Sequence, residues 1–381
     1  MILGRIGVGL LRPVNINERP YPWVGSGTHL WLHFDSRSTS HVFRITSFYY
    51  PPGVTTLNWG DGSTPVSYTN NGSSDALFNS GVEHEYSDGD YRIDITGPEP
   101  IKYYSYLGFT SGNRIMSYGT DPVIQFETDA LAVEGNGGFG FAPIGATRNC
   151  RWMMFTEATT INSVAIGHAY GLVGLWAPKC KSFFRMEFVV PNMKDLSLPS
   201  VETFFNGSGA NPGSWFNDKC PSLEKFVVPE GVTTLPQSFM ARAYCLRSIS
   251  LPTTLSGTLN GVCQYCYCLE ALDIPEGVDV LTGQVGRECY NLKSVIVPST
   301  VTQIDSWCFY ECPGIDKVVC MAQTPPVLGN NKIFTSAKNN NPSFGIWVPQ
   351  GTISAYESAT NWSQFAGKFH ELDANGNIPQ S

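Results

Sequence analysis

Between residues 220 and 320, apolar side chains return at a fixed interval of 23 residues. Leu223, Leu246, Leu269, Leu292 and Ile315 keep it, as do Phe226, Ile249, Leu272, Val295 and Val318. Val228, Leu251, Ile274 and Val297 form a third column, each followed by a proline: Pro229, Pro252, Pro275 and Pro298. A period in the twenties marks a solenoid, in which each turn buries its apolar edge only by stacking on its neighbours. Within a turn, the alternation Glu224-Lys225-Phe226-Val227-Val228 predicts a short strand with Phe226 and Val228 facing inward. Proline ends that strand because it fixes φ and has no N–H for the next ladder bond. The chain then places Val232 and Leu235 inside and returns through Phe239 and Ala243. Turns about 4.8 Å apart make the strict part a block on the order of 25 Å long. The outward strand positions are Lys225/Val227, Ser248/Ser250, Ala271/Asp273, Ser294/Ile296 and Lys317/Val319. They offer no aromatic anchor and no ladder of like charges, which makes that face a poor binding hot spot.

The first half is patterned differently. HLWLHF, HVFRITSF, TTLNW and YRIDITG place apolar residues at every second position, as half-buried strands do, and Asp61-Gly62 and Asp88-Gly89 supply turns between them. The chain therefore divides into an N-terminal arm (1–24), a β-sandwich (25–98) and a β-rich linking region or solenoid cap (99–155). A solenoid (156–322) follows, its period strict over 220–320, and then a C-terminal cap and tail (323–381). Phrases such as FVVPNMKDLSLPSVETF read as degenerate early turns, and NGSGANPGS as an insertion before the strict period. The fold class is mainly β.

Composition agrees with this reading. Only 15% of the 381 residues are charged, and there are 38 Gly and 26 Pro, the profile of a turn-rich β protein. The net charge of −8 is spread out with no Lys/Arg run, so no nucleic-acid partner is expected. No segment reaches the 18 or so apolar residues of a membrane span, so no membrane insertion is expected. The N-terminus has no basic residue before its apolar stretch, Arg5 interrupts that stretch, and no small-residue cleavage site follows; it reads as a retained arm rather than a signal peptide. The eleven cysteines are an odd number. Cys220, Cys266, Cys289 and Cys312 share one repeat position, with Ala243 at the missing step, which describes a small buried slot filled by reduced thiols.

Two resemblances follow from quoted motifs. Trp59-Gly60-Asp61-Gly62-Ser63, then His84-Glu85-Tyr86-Ser87-Asp88-Gly89-Asp90-Tyr91 and the strand RIDITG, resemble a PKD-type domain, although the aromatic usual between Trp and Gly is missing. The resemblance implies an immunoglobulin-like sandwich serving as spacer or interaction module. The stretch from CPSLEKFVVPEGVTTLPQSF to CYNLKSVIVPSTVTQIDSWCFYEC resembles the BspA-type leucine-rich repeat, with its C-x-x-L-x-x-I-x-I-P core. PPVLGNNKIF and IWVPQGTISAYESATNWSQFAGKFHEL resemble the segment that caps such arrays in gut Bacteroidetes and their phages.

Tyr244, Tyr267 and Tyr290 form an aromatic column, with Tyr265, Trp307 and Tyr310 nearby. Regularly spaced tyrosines suit carbohydrate stacking or a protein interface; the alternative is that the rings cover the apolar edge of the turn below. Asp61, Asp88 and Asp90 are candidates for Ca²⁺, although Asp in such loops more often forms turns. The pair Cys263/Cys266 would need two more ligands for zinc, with Cys245 and Cys289 on adjacent turns, but the inward column already accounts for Cys266 and Cys289. The six histidines form no HExxH pattern, no GxSxG elbow or phosphate loop occurs, and no cofactor is implied. The expectation is a non-catalytic binding or display protein. One setting is a bacteriophage virion component (capsid decoration, head-fibre or tail-appendage protein). It would assemble in the host cytoplasm, dock on other virion proteins through its arm and act as a homo-oligomer. The solenoid would meet a host cell-surface protein or glycan. The other setting is a secreted or surface-anchored bacterial adhesin, extracellular or at the cell surface, binding host protein or glycan.

Overall fold

The structure, a computed structural model, describes residues 220–379 without a break. Of the earlier chain it describes residue 24 and the segments 27–34, 41–45, 48–50, 52–73, 76–78, 82–98, 103–104, 123–128, 132–133, 150–161, 171–184, 190–205 and 216. Residues 1–23 of the expected arm, most of the linking region 99–155 and the insertion NGSGANPGS lie outside the described residues. The chain forms two compact units, 1–198 and 199–381.

The first unit is organised around the strand Thr28–Phe34. It pairs antiparallel with Gly89–Thr96 on one side and with Val123–Thr128 on the other. Gly53–Asn58 and Val66–Asn70 continue the antiparallel order beyond Gly89–Thr96. On the opposite flank the ladder changes sense: Val123–Thr128, Trp152–Phe155, Gly174–Trp176 and Asp195–Ser197 run parallel. A single eight-stranded sheet thus contains both the antiparallel strands of the sandwich and a set of parallel, solenoid-like strands. Two further antiparallel pairs join Val42–Ile45 to Val82–Glu85, and Phe48–Tyr50 to Ala76–Phe78. Leu30, Leu32 and Phe34 point to one face with Leu57, Ile93 and Ile95, all buried. The alternate residues His29 and Trp31 are also buried, so this central strand is covered on both faces.

The WGDG and HEY motifs meet at one corner. The His84 ring stacks on Trp59 at 4.8 Å and 12°, and its Nε2 bonds Asp61 Oδ2 at 2.7 Å. Tyr86 Oη donates to the Trp59 carbonyl at 2.9 Å. Gly60 sits at φ 81°, and a Cβ there would collide with the Arg92 carbonyl, so the motif requires glycine at this point.

In the second unit, Lys225–Val227 pairs in parallel with Ser248–Ser250 at an offset of 23 residues. Ala271–Asp273, Ser294–Val297 and Lys317–Cys320 form a further parallel ladder in the same register. Phe226, Val228, Val232, Phe239 and Ala243 are buried, as the alternation predicts. Leu235, predicted inside, is only half-buried. The second sheet, made of Gly257–Asn260, Val278–Thr282, Gln303–Ile304 and Val327–Leu328, starts one turn later, so no strand of that sheet holds Leu235. At the next step a register shift at Gly257/Thr258 puts Leu259 inside instead of Thr258.

The returning side of each turn is built from left-handed backbone. Positive φ falls on every second residue at 261/263/265, 284/286/288 and 307/309/311, mostly at non-glycine residues. Such conformations are costly for L side chains and persist only where the surroundings enforce them. Here backbone bonds between turns enforce them: Arg242 N to Gln264 O at 2.9 Å, Tyr265 N to Arg287 O at 2.7 Å, and Glu288 N to Tyr310 O at 2.8 Å.

The cysteine column also takes part in hydrogen bonding. Cys266 Sγ donates to Met240 O at 3.1 Å, Cys289 Sγ to Cys263 O at 3.0 Å, and Cys312 Sγ to Gly286 O at 2.9 Å. The slot thus takes a thiol that both packs and bonds the preceding turn. Burial pushes the Cys266 and Cys289 thiols well up, keeping them protonated donors.

The C-terminal segment closes the array by extending the first sheet. Gly345–Val348 pairs in parallel with Lys317–Cys320, and Phe369–Glu371 pairs with Gly345–Val348. The short helices Thr335–Asn340 and Ile353–Ser358 lie in this segment. Tyr356, Trp362 and Phe365 fill its core. Both polar tips are satisfied: Tyr356 Oη donates to Ala322 O and Trp362 Nε1 to Pro326 O, each at 2.7 Å.

Candidate functional site

The six aromatic residues singled out in the sequence fall into two groups. Tyr244, Tyr267 and Tyr290 stand one above another on consecutive turns. Their ring centroids are 5.3 and 5.2 Å apart and their planes are tilted by 26° and 22°. Tyr267 and Tyr290 are 39% and 47% exposed, while Tyr244 is half-buried. Because the rings stack on one another, part of each face is occupied by its neighbour. A ligand therefore meets ring edges and a row of hydroxyls, not three open faces. Tyr290 Oη is further held by Glu288 Oε2 at 3.1 Å.

Trp307 and Tyr310 form the second group, in edge-to-face contact at 4.9 Å and 88°. Their partners are cations. Arg287 lies 5.7 Å from both ring centroids and 5.6 Å from that of Tyr265, whose other neighbour is Arg242 at 5.4 Å. Lys332 sits 4.7 Å from the Trp307 centroid. Arginine, tyrosine, arginine, tryptophan with tyrosine, and lysine thus alternate along the stack, each contact contributing about 0.5–1 kcal/mol at an exposed site. Arg242 and Tyr265 occupy one repeat position on consecutive turns, as do Arg287 and Tyr310. The 23-residue register therefore carried a signal for this group that a search for aromatics alone misses. These rings are engaged within the protein, which leaves the tyrosine ladder as the more available surface.

The strand face stays as bland as its sequence until its last turns. There Trp347 and His370 stack at 4.9 Å, on strands contributed by the cap.

The three aspartates do not converge. Asp61 pairs with His84 at 2.7 Å, Asp88 with His41 at 2.8 Å and Asp90 with His33 at 2.7 Å. A fourth pair joins buried His29 to Asp94 at 2.6 Å, with Arg92 on the same carboxylate. Burial raises the Asp61 carboxyl, but hydrogen bonds from Ser63 and His84 outweigh it and hold the group at about 2. Among the described residues, no group of three or more His, Cys, Asp or Glu is placed to hold a metal ion. Cys263 and Cys266 are buried in the solenoid, apart from exposed Cys245.

The match to a family model agrees with the period. Residues 212–339 match the family model of the BspA type leucine rich repeat region, in 6 copies. That stretch is about a third of the chain. No curated protein matches the chain. Solved structures with detectable similarity include a leucine-rich repeat protein from Bacteroides ovatus, at 16% identity and a TM-score of 0.38, covering 72% of this chain and 71% of that one. The pneumococcal vaccine antigen PcpA aligns at 12% identity and a TM-score of 0.31, covering 74% and 85% of the two chains. A leucine rich cell surface protein from Faecalibacterium prausnitzii aligns at 14% and 0.26, covering 68% and 92%. Among the described residues, no helix is long and apolar enough to cross a membrane.

Proposed function

We propose that this chain is a non-catalytic binding protein whose solenoid presents the Tyr244–Tyr267–Tyr290 ladder to a macromolecular partner. The exposed, stacked rings at fixed spacing carry the reading. Rings locked against one another offer contact area and hydroxyls with little ordering entropy left to lose on binding. The edge-and-hydroxyl presentation favours a protein partner over a sugar face laid flat on a ring.

The setting we favour is a bacteriophage particle, with the residue 1–24 arm docking on other virion proteins and the solenoid turned to a host surface protein or glycan. Eleven free thiols in a mainly β chain suit assembly in a reducing cytoplasm, and they support this setting. The second reading, a bacterial surface adhesin, draws on the BspA type match. Density-gradient sedimentation of phage particles followed by peptide mass spectrometry separates the two. Co-sedimentation with particles is the expected result. Absence from purified particles, with recovery in a bacterial outer-membrane fraction, would overturn the virion reading in favour of the adhesin.

A further inference from the structure

Nine of the eleven cysteines are buried; the exceptions are Cys245, which is exposed, and Cys268, which is half-buried. These two occupy the same repeat position on consecutive turns. The other steps of that column are Ser222, Asn291 and Gly314, so cysteine occurs only at two adjacent rungs. Contacts between the turns flank the pair on both sides. One residue before, the Tyr244 and Tyr267 rings stack at 5.3 Å. Two residues after, Glu270 N donates to Arg247 O at 3.1 Å, and Arg247 Nη1 reaches Glu270 Oε1 at 3.4 Å. With the backbones held in register on either side, the two Cα atoms stand one inter-turn step apart, about 4.8 Å. A disulfide accepts Cα separations of roughly 4.4–6.8 Å, and one inter-turn step falls within that range.

We propose that Cys245 and Cys268 are a disulfide-forming pair that staples two turns of the solenoid and fixes the first two rungs of the tyrosine ladder. The assignment rests on register and exposure, and stands whether or not the ladder binds a partner. The order of steps follows from access. The exposed Cys245 thiolate attacks the S–S bond of a low-molecular-weight disulfide such as glutathione disulfide, forming a mixed disulfide and expelling one glutathione thiolate. Cys268, beside it but less open to solvent, then attacks the Cys245 sulfur and expels the second. Two protein S–H bonds and one glutathione S–S bond break; one protein S–S bond and two glutathione S–H bonds form. The two electrons and two protons lost by the protein end on glutathione. The inward cysteines cannot compete, because they are buried and several donate to carbonyls of the preceding turn.

The test uses the full chain, purified reduced and equilibrated with glutathione disulfide. Intact mass and alkylated-peptide mapping are the readouts. The expected result is a loss of two hydrogens from the monomer, with one cross-linked peptide pair containing Cys245 and Cys268. The other nine thiols should remain alkylatable after denaturation. Both thiols staying reduced, a lasting glutathione adduct on Cys245, a dimer linked through Cys245, or a bridge between any other pair would overturn the proposal. Cys268→Ser, at a partly solvent-facing position, should trap the glutathione adduct on Cys245; failure of that variant to take up glutathione would also overturn it.

Discussion

At the scale of single residues, the repeat position Cys220/Ala243/Cys266/Cys289/Cys312 shows how one slot can ask for two properties at once. It must be small, which Ala satisfies, and it gains from a donor aimed at the preceding turn, which only the thiol supplies. Replacing Cys289 with Ala should cost about 1 kcal/mol, the net worth of a buried hydrogen bond, read as a shift in the urea midpoint. Cys289→Leu should cost more, about 2–3 kcal/mol, because a close-packed column has no room for extra methylenes. Asp61 makes a prediction of its own. Its native carboxyl lies near 2, against 3.8 for an unperturbed group. Its contribution to stability is therefore complete above about pH 4 and lost as pH falls from there toward 2, since the unfolded chain takes up the proton first. Urea melts of the wild type and Asp61→Asn between pH 5 and pH 2 should converge as the pH drops (a range set by these two values).

At the scale of elements, the solenoid's strands, prolines and inward columns were legible in the sequence because each depends on alternation and a fixed period. Three features were not. The left-handed return segments fall mainly on non-glycine residues such as Tyr265, Glu288 and Phe309, where residue type gives no warning; bonds between turns impose the conformation. The corner clasps alternate on a double period: Glu230 accepts from Thr253 N and Oγ1, and Glu276 from Ser299 N and Oγ. Pro-Glu-Gly and Pro-Thr/Ser-Thr corners therefore alternate, a 46-residue pattern hidden inside the 23-residue one. The cap reads in sequence as a terminator, whereas its strands prolong the first sheet around an aromatic plug. Tyr356→Phe leaves the Ala322 carbonyl without that donor and should lower stability by about 1 kcal/mol. Trp362→Ala should cost about 3–5 kcal/mol by opening the plug, seen as a lower thermal midpoint of the second unit.

At the scale of the whole chain, the division into two compact units cuts across the sequence pattern. Parallel strands already occur in the first unit, on the same sheet as the antiparallel ones. Alternation alone could not show this, because Thr28–Phe34 is buried on both faces and its partner across the join, Val123–Thr128, follows a long Gly- and aromatic-rich stretch without clear period. The candidate site was legible only in part. The tyrosine column followed from spacing. That its rings close on one another, and that Trp307 and Tyr310 are taken up by Arg287 and Lys332, depends on side-chain directions that spacing does not fix. Asp61, Asp88 and Asp90 read as candidate ion ligands because their histidine partners lie 23, 47 and 57 residues away in sequence.

The central claim is that the tyrosine ladder, and not the strand face, is the binding surface. A paired protein and glycan array, probed with the wild-type chain, the Tyr267→Ala/Tyr290→Ala variant and the strand-face variant Lys225→Ala/Val227→Ala, tests it most directly. The account predicts that ligands retained by the wild type bind the tyrosine variant at least about tenfold more weakly, a loss of some 1.4 kcal/mol, and bind the strand-face variant unchanged. Undiminished binding by the tyrosine variant, or loss confined to the strand-face variant, would contradict it.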